Sequence, residues 1–432
     1  MLAILGFGVL ATFMLLVMKK WATAFIAIIV TPIVAAIVSG YFIQLPEMIL
    51  AGIETVAPTA VLLLFAVLYF GVMMDARLFD PISRLILRLS KGDPVRITIG
   101  TAVLAILIAL DGDGTTSYMI ICSAFLPIYK RLGINRLVIA VVATMSLGLI
   151  SGSTPWGGAA TRAISVLHLD ASEYFVPMLP ALGATALFIV LIAWILGLRE
   201  RKNVDPMQVS LLNAELKEQS KNAEKADWRI WFNAAATLAL IVLLVMDIAP
   251  LVVLFIIGFV IVLVVNHPNL KEQAEVVHRH AASAVPVVML VLGAGVFTGI
   301  LTETGMIEAM ADTLLSAVPD SLGGWIPLIT ALIGIPLSFF MSNDAYFFGI
   351  LPVLASSAEV YGIAPIEIAR AGVIGQMAHM IGPASAPLWV LLGLLKRELG
   401  DFQRFAILWV LAGSIAFVVF ALLTGAISIP LG

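Results

Sequence analysis

Leu110-Asp111-Gly112-Asp113-Gly114-Thr115-Thr116-Ser117 interrupts a long apolar run, and Phe340-Met341-Ser342-Asn343-Asp344-Ala345 does the same in the second half of the chain. The apolar arm before the first motif, Val95 to Ala109, gives roughly 22 Å of helix at 1.5 Å per residue. A hydrocarbon core about 30 Å thick is too deep for it to cross, and the arm after the motif, Tyr118 to Tyr129, is shorter still. Segments 95–129 and 323–358 therefore read as re-entrant hairpins that turn at the polar motif and leave on the side they entered. Non-helical backbone at that depth is tolerated only where protein or a water-filled cavity satisfies it. Carboxylates there are costly and persist only where they pair or line a cavity. A matched pair of interrupted segments is a sequence pointer to a transporter's binding site.

The rest of the composition agrees. Of 432 residues, 61% are hydrophobic and only 12% charged, which excludes a soluble globular domain and indicates an all-α polytopic membrane protein. The lone Cys122 excludes an intramolecular disulfide and a cysteine-based metal site, and reads as a small buried hydrophobe. Residues 2–18 read as a retained first span rather than a cleaved leader, because Lys19 and Lys20 follow the apolar run instead of preceding it. Further spans are expected near 21–43, 56–75, 135–167 and 173–197, then near 229–246, 249–265, 283–303, 366–395 and 403–428. The fourth span of each half is too long for one plain helix and is broken in its middle.

Each half thus holds five spans and one hairpin, and an odd number of spans makes the second half inverted relative to the first. The first repeat is 1–198 and the second 229–432, joined by a cytoplasmic linker at 199–228 in which Ser210 to Lys225 forms a solvated or interfacial helix. The halves align at an offset of about 230 residues, which sets Asp113 on Asp344 and Gly133 on Gly362. Every Lys and Arg except Arg162 and Arg370 falls on one side of this layout. The positive-inside rule makes that side cytoplasmic and leaves both termini outside. Asp80-Pro81 reads as an N-cap and first residue of an amphipathic helix along the cytoplasmic interface. Arg370 is expected near the outer surface as a snorkelling residue.

The polar motifs carry the chemistry. Gly112 and Gly114 permit positive φ and let backbone amides approach a ligand. Thr115, Thr116 and Ser117 open the second arm, so hydroxyls and free N–H groups meet at a helix N-terminus, an anion-binding arrangement. Asp111 and Asp113 beside it suit a cation or a proton. Ser342, Asn343 and Asp344 offer the same from the other hairpin, with helix capping as the plainer reading. Ser151-Gly152-Ser153-Thr154-Pro155-Trp156-Gly157-Gly158 breaks the fourth span, and Arg162 follows one turn later, able to grip a carboxylate or to pair with Asp111, Asp113 or Asp344. The matching break is Ile381-Gly382-Pro383-Ala384-Ser385-Ala386-Pro387. His379 precedes it, as a proton-relay candidate or a satisfied core residue.

These motifs together resemble the citrate–metal–proton symporter family of the ion-transporter superfamily, along essentially the whole chain. The resemblance rests on Asp-Gly-Asp-Gly-Thr-Thr at 111–116, Pro155-Trp156-Gly157-Gly158 with Arg162, and Ser342-Asn343-Asp344. It implies a scaffold domain, a mobile transport domain holding both hairpins, elevator-type alternating access and a homodimer in the cytoplasmic membrane of a prokaryote. Sodium-coupled dicarboxylate relatives carry Ser-Asn-Thr at both tips. The acids found here fit protons or a divalent metal better.

The expected activity is import of citrate or a similar tricarboxylate as a divalent-metal complex, coupled to protons. Gly112, Gly114, Thr115, Thr116, Ser117, Ser153, Thr154, Trp156, Gly157, Gly158, Arg162, Ser342, Asn343, Gly382 and Ser385 would bind the substrate. Asp111, Asp113, Asp344 and His379 would serve the coupling ions, with the three aspartates facing a co-transported metal of the magnesium or calcium class. No resident cofactor, catalytic residue or nucleic-acid partner is expected; lipid is. The alternatives are a cation–proton antiporter or another organic-anion carrier. An intramembrane aspartyl protease is a remote one, disfavoured because Leu110 stands where its Gly-x-Gly-Asp motif needs glycine and no Tyr-Asp pair occurs.

Overall fold

The structure, a computed structural model, describes residues 2–202, 204, 207–212, 227–246, 248–315 and 320–428, and all regular structure among them is helical. Helices α1 (Leu2–Met18), α2 (Ala24–Val38) and α3 (Leu45–Asp75) lead into a short α4 (Asp80–Ser90). The first interrupted segment follows as α5 (Pro94–Ile108), a 3-10 turn at Ala109–Asp111, and α6 (Gly114–Leu132). A broken helix comes next, α7 (Arg136–Ser153) with α8 (Gly158–Val166), then α9 (Ala171–Phe175) and α10 (Leu179–Arg201). The second half repeats this order. It has α11 (Trp228–Val245), α12 (Leu251–Asn266), α13 (Leu270–Glu303) and a short α14 (Met306–Leu315). Then come α15 (Asp320–Gly323), α16 (Ile326–Phe340), a π-helical turn at Ala345–Ile350, and α17 (Leu351–Glu359). The second broken helix is α18 (Pro365–Val373), α19 (Gln376–His379) and α20 (Ala386–Leu395), and α21 (Leu399–Leu423) closes the chain.

Six helical segments among the described residues are long and apolar enough to cross a membrane, and Arg136–Val166, with 94% of its most apolar stretch buried, is the most enclosed. Helices α3 and α13 run to 31 and 34 residues, starting well before the spans expected at 56–75 and 283–303. Hydropathy finds only the apolar middle of such a helix. Its polar beginning is fixed by local chemistry: proline in the first turn of α3, and Asn269 capping α13 by accepting from Lys271 N at 2.9 Å. The two helices touch backbone to backbone. A Cβ on Gly295 would sit 2.5 Å from Gly52 O, and one on Gly299 2.5 Å from Met48 O. Small residues four apart give such close crossings in membranes.

The first interrupted segment returns to where it began. Asp93, which caps α5, lies 3.7 Å from Arg201, and Asn135, at the start of α7, donates its N–H to Glu200 at 2.9 Å. Both feet therefore meet at the C-terminal end of α10. The feet of the second segment also meet, since a Cβ on Gly323 would run into the Tyr361 ring. They do so at the other end of the bundle. Just beyond Tyr361, Glu367 accepts from Ser428 N at 2.9 Å, and Arg370 donates to Glu173 O (2.6 Å) and Tyr174 O (3.1 Å) ahead of α10. Gly133 and Gly362, matched in the sequence, both end second arms with positive φ, +71° and +77°.

Local expectations change in two places. Asp80 is the first helical residue of α4 and Phe79 occupies the cap position. Arg370 does not snorkel: it is 8% exposed and holds three carbonyls, of Tyr174, Glu173 and Ala426, because the α9 turn and the end of α21 close over it. The linker helix expected from Ser210 to Lys225 lies almost wholly outside the described residues. Cys122 is free and buried on α6.

Candidate functional site

The two broken helices meet at their breaks, and each break is covered by a tip. Gly148 and Gly152 of α7 abut Met377 and Gln376 of α19: a Cβ at Gly148 would come 2.6 Å from Met377 Cα, and one at Gly152 2.7 Å from Gln376 Cβ. Trp156 Nε1 donates to Leu110 O at 2.7 Å and pins the first tip to the first break. Gly382 packs against Phe339 O and seats the second tip on the second break, while Gly114 packs on Pro387.

At the first tip the chain reverses through Gly112, at φ +80°. Asp111 is 8% exposed, and its Oδ1 accepts from Asp113 N and Ser117 Oγ, both at 2.9 Å. Asp113 caps α6, accepting from Thr115 N and Thr116 N at 3.1 Å each and from the Thr116 hydroxyl. The amides that the sequence offers to an anion are thus taken by the chain's own carboxylate. What remains facing outward is the acid, which changes the local preference from anion to cation.

The second tip divides these tasks differently. Ser342 Oγ accepts from Ala345 N at 3.2 Å and does the capping. Asp344 is left to pair with Arg162, Nε to Oδ1 at 2.7 Å, each side chain 18% exposed. Arg162 also donates through Nη1 to Gly158 O, one turn back on α8. Asp113 and Asp344 align in sequence but differ in role; Ser342 is the functional counterpart of Asp113. His379 is buried and shares its Nδ1 with Ser338 O at 3.0 Å, so one ring nitrogen is engaged by the hairpin beside it.

Facing the first tip is a cavity of about 360 Å³. One wall is Asp111, Gly112, Asp113, Thr116, Trp156 and Gly158. The other belongs to α3 and α13, with Phe70, Gly71, His280 and Ser283 prominent. The wall on α3 and α13 escaped the sequence reading. Its one available signal was His280 at the polar beginning of an apolar helix.

The expected site residues therefore separate into groups. Asp111, Gly112, Asp113, Thr116, Trp156 and Gly158 line the cavity, whereas Gly114, Thr115, Ser117 and Gly157 are not part of its lining. Arg162, Asp344, His379, Gly382 and Ser342 gather around the second tip and reach it only through the Gly158 carbonyl. Among the described residues, Ser153 Oγ, Thr154 Oγ1 and Asn343 Oδ1 are buried without a hydrogen-bond partner, as is Gln376 Nε2 across the break, a residue outside the sequence expectations. Ser385 opens α20, 1% exposed, with only a long contact to Met380 Sδ at 3.8 Å. The three aspartates do not converge: among the described residues no group of three or more His, Cys, Asp or Glu is placed to hold a metal. Asp344 is paired with Arg162 instead.

A family profile described as citrate transporter matches residues 13–375. The chain belongs to the citrate transporter family. Its curated relatives include a citrate transporter of Bacillus subtilis, 46% identical over 428 residues that cover 99% of this chain and all of that one. A Mg(2+)/citrate complex secondary transporter of the same organism is 44% identical over 439 residues, with the same coverage. Among solved structures, the Neisseria gonorrhoeae MtrF efflux pump aligns with a TM-score of 0.60 at 15% identity, over 92% of this chain and 93% of that one. The Alcanivorax borkumensis YdaH transporter aligns at 0.53 and 16%, over 88% of each chain. These likenesses speak to the fold alone. Membership of the citrate transporter family makes the chain a multi-pass membrane transporter and not an enzyme, so the aspartyl protease reading falls.

Proposed function

We propose that the chain imports citrate, or a similar tricarboxylate, as a complex with a divalent cation of the magnesium or calcium class, driven by protons. The observation that carries this reading is the acid-walled cavity at the first tip. A free trianion would be repelled by Asp111 and Asp113, whereas a metal complex, left with a single negative charge, offers those acids a cation. The relatives' printed substrates, citrate and Mg(2+)/citrate, support the same choice. The two halves are read as inverted repeats, 1–198 and 229–432 around the linker 199–228, because their hairpin feet lie at opposite ends of the bundle. Helices α3 and α13 belong to a fixed scaffold and the hairpins to a moving domain, within a homodimer whose termini face outward.

Uptake of labelled citrate into proteoliposomes tests this. It should require both a divalent cation and an inward proton gradient; uptake that needs neither overturns the reading. Cation–proton exchange is the second reading, and the pairing of Arg162 with Asp344, away from the cavity lining, favours it. Transport that survives Arg162→Ala but is abolished by Asp113→Asn would select that alternative.

A further inference from the structure

The cavity has two walls of opposite character. The tip wall carries Asp111 and Asp113. Among the described residues, the only basic side chain in the lining is His280, on α13. Its Nε2 lies 2.9 Å from Asp75 Oδ2, and Arg279 Nη1 reaches the same oxygen at 2.8 Å. Asp75 therefore orients the imidazole and is itself neutralised by Arg279. The ring lies directly over Gly71 on α3: a Cβ there would fall 2.6 Å from Nδ1. Any other residue at Gly71 would push the ring out of place. Ser283, one turn further along α13, lies on the same wall.

These two helices meet the tip close to one end. Gly71, Met74 and Asp75 are the last turn of the 31-residue α3, and His280 is in the third turn of α13. That end also carries Arg77, Arg84 and Arg88, and is cytoplasmic in the proposed topology.

We infer that His280, with Asp75 as its orienting partner, is a cargo-binding residue on the scaffold, receiving a carboxylate of the metal complex while Asp111 and Asp113 face its metal. With Nε2–H donated to Asp75, a cargo carboxylate can be received only by Nδ1–H, so the contact forms with a proton on each ring nitrogen. The inference rests on the proposed function and adds an asymmetry to it. The tip carries its acids wherever it moves, but His280 stays with α13. The His280 contact therefore exists only while the tip stands at the cytoplasmic end, and it sets the affinity at which cargo is released or recaptured there.

The test measures transport of labelled citrate with magnesium from each side, in right-side-out and inside-out membrane vesicles. His280→Ala should raise the cytoplasmic-side KM about tenfold or more, the effect of losing one charge-assisted hydrogen bond, and leave the outer-side KM within about twofold. His280→Gln, which keeps an N–H donor, should recover part of the loss. Equal shifts on both sides mean a structural role, and no shift on either side means no contact; each overturns the inference. Should His280→Ala fail to reach the membrane, Ser283→Phe at an exposed position on the same wall must reproduce the one-sided shift, and a symmetric or absent effect refutes the proposal. Wild-type vesicles that move no citrate would refute the proposed function instead.

Discussion

Arg162 donates through Nε to Asp344 at 2.7 Å and through Nη1 to Gly158 O, so its charge is already balanced by a carboxylate before any cargo arrives. If the cargo of the proposed function reaches this pair, its metal would offer Asp344 a substitute cation and free the Nε edge of the guanidinium for a carboxylate. Binding of metal and anion are then linked through a single ion pair. Asp344→Asn should uncouple them: citrate binding in the presence of a chelator should strengthen at least tenfold, measured by titration calorimetry, because the guanidinium charge is then no longer balanced by an anionic partner. Breaking a buried ion pair costs about 3–5 kcal/mol. With each side chain 18% exposed the loss belongs at the lower end, so the variant should melt earlier yet still fold. Citrate binding that stays fully metal-dependent in this variant would argue against the linkage. At this scale the sequence was legible in part. Acids, glycines and prolines stand out against apolar surroundings, so both tips and both breaks could be placed. Which acid caps and which acid pairs could not, because Asp113 and Ser342 share a task only by virtue of how each tip turns.

Among the helices, α3 and α13 show what periodicity alone conceals. Both were expected as ordinary spans, but their backbones meet at Gly52, Gly295 and Gly299, with no room for a single methyl group between them. The spacing Gly295-x-x-x-Gly299 is visible in the chain, yet glycine is common in membrane helices and only the partner's position gives it meaning. Burial of α7 had the same source. Its sequence reads as any apolar span, and only packing on α5, α6, α10 and the second broken helix makes it central. A substitution at the crossing therefore acts on the whole scaffold. Gly295→Leu should force α3 and α13 apart and remove most of the folded, monodisperse protein seen by size-exclusion chromatography in detergent. Gly183→Ala, where the added Cβ meets nothing within 4 Å, should leave yield and melting temperature unchanged. Similar yields for both variants would mean the crossing contributes little.

For the whole molecule, the question is which parts move together. Trp156 on Leu110, Gly382 on Phe339, and Gly148 and Gly152 on the second broken helix bind tips and breaks into one body. Helices α11 and α12 are joined by the paired amides of Asn233 and Asn266 at 2.9 and 2.8 Å, and α11 is tied to α3 by the Tyr69–Thr237 hydrogen bond at 2.9 Å. Helix α1 meets the second hairpin through an apolar contact, Met14 against Gly349, where a Cβ would meet Sδ at 3.6 Å. In the proposed division into fixed and moving parts, movement of one past the other would break that contact and spare the amide pair. In a Cys122→Ser background, cross-linking Met14→Cys to Gly349→Cys should stop citrate uptake, with reduction restoring it. Cross-linking Asn233→Cys to Asn266→Cys should leave uptake intact, since both residues ride on the same body. Full transport with the first cross-link in place would mean that α1 and the second hairpin travel together, and the division between fixed and moving parts would have to be redrawn on the far side of α1.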